Sequence, residues 1–200
     1  MFRNKLFRTT YIKKFWNWNY LEIWLETFFG FNDYTDSDEV LFLCIVRNPF
    51  NWIDSLFKFK YHLANPIRAD INKYLNDTFW SYDFAKKKEI MDDRNIYTQE
   101  RYKNIFELRY TKLKYLIEDL PTKVNNVILI KYEELEDYES LLNKVKNLGI
   151  ICKNNYPTNI TKYCKGGRTI NKYIPISKDL ILNNPNFDKY KHYDILLNYI

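Results

Sequence analysis

The chain has 200 residues, of which 46% are apolar and 18% are aromatic, and it carries a formal net charge of +6. A chain of this length and composition can bury enough apolar surface to offset the entropy cost of folding, which excludes an intrinsically disordered protein and fits a single domain. The positive charge is compatible with an anionic partner, although a general abundance of lysine explains part of it without any function.

The cysteines and the amino-terminal residues bear on the compartment. Cys44, Cys152 and Cys164 are too few and too widely spaced for a disulfide framework or a zinc site, which favours a reducing compartment. Residues 1–24 include basic side chains but no continuous apolar run as long as a signal peptide or a membrane span. We therefore expect a soluble, cytoplasmic protein.

The first half of the chain contains two predicted helices and a strand. Apolar side chains near Tyr20 to Phe29 form one wide helical face, and Gly30 ends this helix. After a polar loop, Val40 to Val46 is a continuous apolar run, which is typical of a strand buried on both faces. Asn48 and Pro49 are the residue types that cap and begin a helix, and the apolar spacing after them predicts one.

The second half repeats this pattern of strand and helix. A long helical pattern runs from about Tyr97 to Leu120 and is predicted to stop at Pro121. Val127 to Ile130 follows as a short buried strand, and Leu135 to Leu148 has the spacing of an amphipathic helix.

The remaining C-terminal part is mostly loop-like, with a short helix near Tyr190 to Tyr199. Buried strands that alternate with amphipathic helices indicate a parallel α/β sheet with covered faces. No repeat and no linker-like segment divides the chain, so we predict one domain over residues 1–200.

The residues after the first predicted strand suggest an anion site. Ligands of parallel α/β sheets bind beyond the carboxyl ends of the strands, which is where Arg47 would project. A guanidinium beside a helix amino terminus offers charge and backbone amides to one anion, such as a phosphate. Ser55 follows Asn48 by seven residues, nearly two helical turns, so its hydroxyl could add a donor. The alternative is structural: Arg47 pairs with a carboxylate at the sheet edge, and Ser55 faces solvent.

Two blocks carry a resemblance to a known family. FLCIVRNPFNWIDSLFKFKYH resembles a segment of the sulfotransferases that use 3′-phosphoadenosine 5′-phosphosulfate (PAPS), in which a strand ends in Arg-Asp/Asn-Pro and a serine follows eight residues after the arginine. The resemblance implies that Arg47 and Ser55 bind the 3′-phosphate of the cofactor. VNNVILIKYEEL resembles the family's later strand, which ends in Tyr-Glu-x-x-Leu, and implies that Tyr132 lies near the adenosine. A purely structural role for Tyr132 and Glu133, where a strand enters a helix, stays open.

A third block, KYCKGGRTINKY, resembles the late basic loop that closes over the 3′-phosphate in this family. Its working positions would be Lys165, Gly166 and Arg168, since glycine lets backbone amides approach an anion and the cations supply charge. A flexible basic surface turn would have the same composition. The segments RNPFNWIDSLFKFKYH and NIFELRYTKLKYLIE also resemble a small sulfotransferase-like subfamily of viral and microbial genomes. The implied fold is a three-layer α/β sandwich with a central parallel sheet, of the P-loop-nucleotide-binding type.

The chain departs from the family at its amino terminus. The family has a strand, a glycine-containing loop and a helix there, which hold the 5′-phosphosulfate, whereas no glycine precedes Gly30 in this sequence. One interpretation is a degenerate loop in YIKKFWNWNYLEIW, in which Lys13 or Lys14 replaces the lysine that stabilises the bridging oxygen. The other is that the chain lacks part of this βα unit. The missing glycine favours impaired or absent transfer.

With an intact site, the implied reaction is in-line transfer of a sulfuryl group from PAPS to a hydroxyl or amine, without a metal. His62 is the preferred candidate for the general base, because it lies just beyond the first motif helix and titrates in the useful range. The structural alternative is a helix-end histidine that binds a carbonyl. Glu133 and Glu107 stay open as bases, whereas His192 lies near the terminus.

These sequence features suggest three functions. The first is a sulfotransferase that acts on a glycan, a peptide or a small molecule, with residues 63–94 contributing to the acceptor pocket. The second is a non-catalytic module that keeps the nucleotide pocket. The third, and the least supported, is a nucleic-acid site at Ala85 to Lys88 with Trp80, Tyr82 and Phe84 for stacking, because Asp83 and Glu89 interrupt the charge run.

Overall fold

The computed structural model describes residues 41–58, 63–135, 137–147 and 175–200. Its sheet pairs two parallel strands, β1 (Phe42–Val46) and β4 (Val127–Lys131), with Phe42 opposite Val127 and Val46 opposite Lys131. Both strands lie within two residues of their predicted bounds. Their parallel pairing confirms the prediction of a mixed α/β chain built on a parallel sheet.

The chain between these strands forms short helices and one hairpin. In order, they are α1 (Pro49–Lys58), α2 (Asn65–Ala69), α3 (Ile71–Asn76), the antiparallel strands β2 (Tyr82–Asp83) and β3 (Lys88–Glu89), a 3-10 turn (Met91–Asp93), α4 (Ile105–Lys114), a π-helical turn (Tyr115–Asp119) and α5 (Leu120–Lys123). After β4 come a 3-10 turn (Tyr132–Glu134), α6 (Tyr138–Asn147), α7 (Lys178–Leu182), α8 (Pro185–Tyr190) and α9 (His192–Leu196). Within the described ranges, no helix is both long and apolar enough to cross a membrane.

The two faces of the parallel pair differ in burial. Phe42 and Cys44 of β1 are buried against Tyr115, Leu120 and Val124. On the opposite face, α6 packs on β4, whereas Ile45 of β1 keeps 48% of its surface exposed. The prediction of a first strand buried on both faces is therefore wrong for β1, because its apolar run reflects one packed face and one partly open face.

The long helical pattern was predicted with the wrong ends. Helix α4 begins only at Ile105, because the Asn104 side chain accepts hydrogen bonds from the amides of Phe106 and Glu107, both at 3.0 Å, and caps the helix there. Nor does the helix stop at Pro121. A proline ring clashes with the carbonyl four residues earlier, and the π-helical turn widens the backbone at that point, so that α5 continues past Pro121.

The main core lies between α1, α3, α4 and the C-terminal helices. Residues 63–94, for which we predicted an acceptor pocket, contribute much of it, and their role in a pocket stays a prediction. Aromatic rings pack against one another in this core, as in the contact of Phe57 with Tyr74 at 4.8 Å between ring centroids. The fully buried members include Ile53, Leu63, Ile67, Tyr74, Leu75, Phe79, Tyr102, Ile105, Leu108 and Ile181.

The described C-terminal residues are more helical than predicted. Instead of a loop and one helix near Tyr190 to Tyr199, residues 178–196 form α7, α8 and α9 in succession. Each helix is only five or six residues long, so no periodic pattern has room to develop. Ser177 and Asn184 cap α7 and α8 through their side chains.

Candidate functional site

Arg47 and Tyr132 meet at the carboxyl end of the sheet. Each is the residue that follows the last paired position, Val46 opposite Lys131, so both side chains leave the sheet on the same face. The Arg47 guanidinium lies over the Tyr132 ring, 4.7 Å from its centroid, and the Tyr132 side chain is half-exposed. Two blocks that are far apart in the sequence thus form one cationic, aromatic surface.

The Arg47 side chain has a buried hydrogen-bond donor. Its Nε is buried and has no hydrogen-bond partner among the described residues. In the same part of the chain, Arg47 forms no ion pair, so the structural alternative of a carboxylate partner at the sheet edge is not seen there. A buried donor without a partner is costly, and an anionic ligand beside Arg47 would satisfy it.

The amino terminus of α1 follows directly, and Pro49 and Asn48 have the predicted roles. Pro49 begins the helix, and the Asn48 side chain accepts a hydrogen bond from the amide of Asn51 at 2.9 Å. The amide and the side-chain Nδ2 of Asn48 both donate to Glu133 Oε1, at 3.1 and 2.6 Å. A carboxylate of the chain itself therefore lies at this helix terminus, and the expectation that an external anion shares it with Arg47 needs correction.

Glu133 is ill suited to act as the general base. Burial tends to raise its pKa, but hydrogen bonds donated by Asn48 and by the Tyr199 hydroxyl outweigh burial and hold the pKa below its ordinary value. Glu107, the other carboxylate considered, accepts a hydrogen bond from the Lys103 amide at 2.5 Å, as expected of a residue at the start of α4. Both contacts point to structural roles.

Ser55 lies on α1 and is partly buried. Seven residues separate it from Asn48, so the two share one helix face and are about 10 Å apart along the axis. A phosphate bound to the Arg47 guanidinium would have to reach along α1 toward this hydroxyl. The neighbouring Asp54 is engaged elsewhere, since its Oδ1 accepts a hydrogen bond from the Ile176 amide at 2.8 Å.

Three residues that the sequence did not single out complete this region: Arg109, Asp194 and Tyr199. Arg109 Nη2 donates to the Arg47 carbonyl oxygen at 2.8 Å, and its Nε lies 3.1 Å from both carboxylate oxygens of Asp194. The Arg109 and Asp194 side chains are only 5% and 2% exposed. The sequence gives no signal for this pair, because Arg109 is one of four charged residues in α4 and nothing in the pattern distinguishes it from Glu107, Lys112 or Lys114.

The other predicted site residues lie outside the described ranges. They are Lys14, His62, Lys165, Gly166 and Arg168. Of the two histidines, His192 is described, and its ring packs against Tyr193 at 4.9 Å between centroids. The thiol of Cys44 is free and buried, and burial raises its pKa to about 12, so it is no nucleophile at neutral pH.

The basic segment proposed for nucleic-acid stacking is a hairpin turn. Residues 84–87 connect β2 to β3, and Lys87 has a positive φ of 52°. The aromatic faces beside the turn already carry cations of the chain, with Arg101 4.4 Å from the centroid of Trp80 and Arg68 5.0 Å from that of Phe84. Arg101 also pairs with Glu89. The geometry adds no support for this third function.

Comparison with known proteins found no similar protein. No family model matches the chain, and neither a curated protein nor a solved structure does so. The site at the ends of β1 and β4 is therefore interpreted from its own residues and from the resemblance of its two motifs.

Proposed function

We propose that this chain binds a 3′-phosphorylated adenosine nucleotide at the carboxyl ends of β1 and β4, in the manner of a PAPS-dependent sulfotransferase. Arg47 and Ser55 would hold the 3′-phosphate, and Tyr132 would lie beside the adenosine. The observation that carries the proposal is the contact of Arg47 with Tyr132 at 4.7 Å, together with the buried Arg47 Nε that has no hydrogen-bond partner among the described residues. A phosphate supplies the acceptor oxygens that such a donor requires.

The remaining parts of the proposal follow from the resemblance. They include a three-layer sandwich of the P-loop-nucleotide-binding type and a glycan, peptide or small-molecule acceptor. A cytoplasmic location is proposed separately, from the number and spacing of the cysteines. Lys165, Gly166 and Arg168 would close over the 3′-phosphate. When bound, PAPS supplies the activated sulfuryl group. His62 would take the acceptor proton, and Lys14 would stabilise the bridging oxygen.

A second candidate function is a binding module without transfer. The observation in its favour is the absence of any glycine before Gly30, because a loop that holds the 5′-phosphosulfate needs close backbone approach. This module would retain Arg47, Ser55 and Tyr132 and would bind 3′-phosphoadenosine 5′-phosphate (PAP) as the enzyme does. The two candidates differ only in whether sulfate reaches an acceptor.

A thermal-shift titration tests nucleotide binding. PAP at about a hundredfold excess over its dissociation constant should add about 2.7 kcal/mol to the free energy of unfolding. Adenosine 5′-diphosphate, which lacks the 3′-phosphate, should cause little shift. Equal shifts with both nucleotides, or none with either, would reject the 3′-phosphate site. With binding established, transfer of labelled sulfate from PAPS to glycan, peptide and phenolic acceptors separates the enzyme from the module.

A further inference from the structure

The peptide unit between Arg47 and Asn48 is held at both of its polar groups. Its carbonyl oxygen, on Arg47, accepts a hydrogen bond from Arg109 Nη2 at 2.8 Å. Its N–H, on Asn48, donates to Glu133 Oε1 at 3.1 Å. Two side chains of opposite charge thus bind the two ends of one peptide dipole, which fixes the plane of that peptide.

Each of these two side chains is in turn held by the C-terminal segment, residues 192–200. Asp194 binds Arg109 through both carboxylate oxygens, with Arg109 Nη2 to Asp194 Oδ1 at 2.5 Å. The Tyr199 hydroxyl lies 3.2 Å from Glu133 Oε2 and 3.4 Å from the Val46 carbonyl oxygen, and these two acceptors share its proton. The segment therefore reaches the end of β1 by two separate routes.

We infer that Asp194 and Tyr199 are positioning residues that set the direction of the Arg47 side chain through Arg109 and Glu133. This inference rests on the proposed function, because the feature they position is the 3′-phosphate site.

The physical argument starts from the backbone. Rotation of the 47–48 peptide changes ψ of Arg47 and φ of Asn48, so it moves the Arg47 Cα–Cβ bond relative to α1 and Ser55. Binding of a phosphate by a guanidinium depends on the direction of its donors as well as on charge. A peptide fixed at both ends holds those donors in place before the nucleotide arrives, which reduces the entropy cost of binding.

The burial of the contact between Asp194 and Arg109 supports this role. Arg109 and Asp194 lie in the core, where a charge–charge contact is screened little by solvent, and the Arg109 guanidinium also lies 5.2 Å from the centroid of Trp52 in α1. A contact that served only to attach the C-terminal helices would not need to end on the carbonyl of Arg47. Arg109 therefore contacts Arg47, which directly follows β1, as well as Trp52 of α1 and Asp194 of α9, and Arg47 is the residue proposed to bind the ligand.

The test compares two tyrosine hydroxyls. Tyr199→Phe removes the hydroxyl that holds Glu133 but keeps the ring, which lies 5.1 Å from Lys131 Nζ. Tyr97→Phe is a matched control: its hydroxyl binds Asp119 Oδ2 at 2.5 Å and its ring lies 4.8 Å from Lys114 Nζ, and neither contact involves Arg109, Glu133 or the 47–48 peptide. Both variants lose one hydrogen bond from tyrosine to a carboxylate and keep a lysine on the ring.

Two readouts separate positioning from general stability. Amide hydrogen exchange at Asn48, followed by NMR, should be faster in Tyr199→Phe than in the wild type and unchanged in Tyr97→Phe. The affinity for PAP, measured by calorimetry, should fall in Tyr199→Phe alone, by no more than about fivefold, because the effect on binding cannot exceed the free energy of the one ordinary hydrogen bond that is lost. Asp194→Asn, which keeps the shape of the side chain, should also weaken PAP binding at a temperature where the variant is folded.

Equal affinities of Tyr199→Phe and the wild type, or equal losses in both tyrosine variants, would overturn the positioning role and leave the proposed function in place. Unchanged exchange at Asn48 in Tyr199→Phe would overturn it as well. A wild-type protein that does not bind PAP would reject the proposed function, and the positioning role with it.

Discussion

Arg47 combines three properties at the carboxyl end of β1. Its guanidinium lies over the Tyr132 ring, its Nε is buried with no hydrogen-bond partner in the described part of the chain, and its backbone carbonyl oxygen accepts a hydrogen bond from the buried Arg109. The sequence predicted the position of Arg47 correctly, because an apolar run followed by Arg-Asn-Pro is a strand end followed by a helix start. It could not predict Arg109, since the contact between residues 47 and 109 depends on how α4 packs.

The Ser55 hydroxyl gives a prediction at the level of a single residue. Ser55→Ala removes one donor from the proposed phosphate contacts without changing charge or helix propensity much, so PAP affinity should fall about tenfold. The weak affinity for adenosine 5′-diphosphate should not change. Calorimetry with both nucleotides checks this. A Ser55→Ala variant that binds PAP as tightly as the wild type would show that the hydroxyl makes no contact with the 3′-phosphate.

Glu133 gives a prediction for the dependence of stability on pH. Its pKa is lower in the folded chain than its ordinary value of 4.5. The ionised carboxylate therefore stabilises the fold above the unfolded pKa, and this contribution is lost as the pH falls through the folded pKa. Urea unfolding between pH 7 and pH 3 (roughly the range in which a carboxylate titrates) should show a smaller acid loss in Glu133→Gln than in the wild type. An identical acid loss in both proteins would contradict the role given to the Asn48 and Tyr199 hydrogen bonds.

Helix α4 shows why element ends are harder to predict than element types. Apolar periodicity extends back to Tyr97, yet the helix starts where Asn104 supplies a cap. At the other end, Pro121 was interpreted as a stop, but the backbone adapts through a π-helical turn. Both errors have one cause: a periodic pattern reports which face is buried, and it carries no information on where backbone hydrogen bonds begin or change register.

The Asn104 cap gives a prediction at the scale of an element. The Asn104 side chain is buried, so the amides of Phe106 and Glu107 cannot turn to water when it is removed. Asn104→Ala should lower the free energy of unfolding by about 2 kcal/mol, at the upper end of the range for caps. Asp70→Ala is the comparison: Asp70 caps the exposed start of α3 through two similar hydrogen bonds, and its loss should cost about half as much. Chemical denaturation measures the free energy of unfolding of both variants. A larger loss in Asp70→Ala than in Asn104→Ala would contradict the role given to the buried cap.

At the scale of the whole molecule, the C-terminal helices pack against elements from earlier in the chain. Phe187 packs on Phe50 and Phe106, Asp194 pairs with Arg109, and Tyr199 reaches Glu133. None of this could be predicted from the sequence, because α7, α8 and α9 are too short to show a period and their partners lie far away along the chain. The parallel pairing of β1 with β4 could be predicted, since apolar runs that alternate with helices permit few other arrangements.

The buried ion pair between Arg109 and Asp194 gives a prediction for the stability of the whole chain. Asp194→Ala leaves the Arg109 guanidinium buried without its carboxylate and should lower the free energy of unfolding by about 3–5 kcal/mol. The double variant Arg109→Met with Asp194→Leu removes both charges and should recover most of this loss. Denaturant unfolding measures both. A double variant as unstable as Asp194→Ala would mean that packing, and not the uncompensated charge, dominates.

The measurement that tests the central claim most directly is the affinity for PAP of three proteins: the wild type, Arg47→Ala and Arg68→Ala. Both variants lose one positive charge and one arginine that lies over an aromatic ring, Tyr132 for Arg47 and Phe84 for Arg68. We predict that calorimetry will show binding by the wild type and by Arg68→Ala, and a loss of about a hundredfold in Arg47→Ala, the cost of a charge-assisted contact to phosphate. Equal affinities of Arg47→Ala and Arg68→Ala would contradict the assignment of the 3′-phosphate to the end of β1.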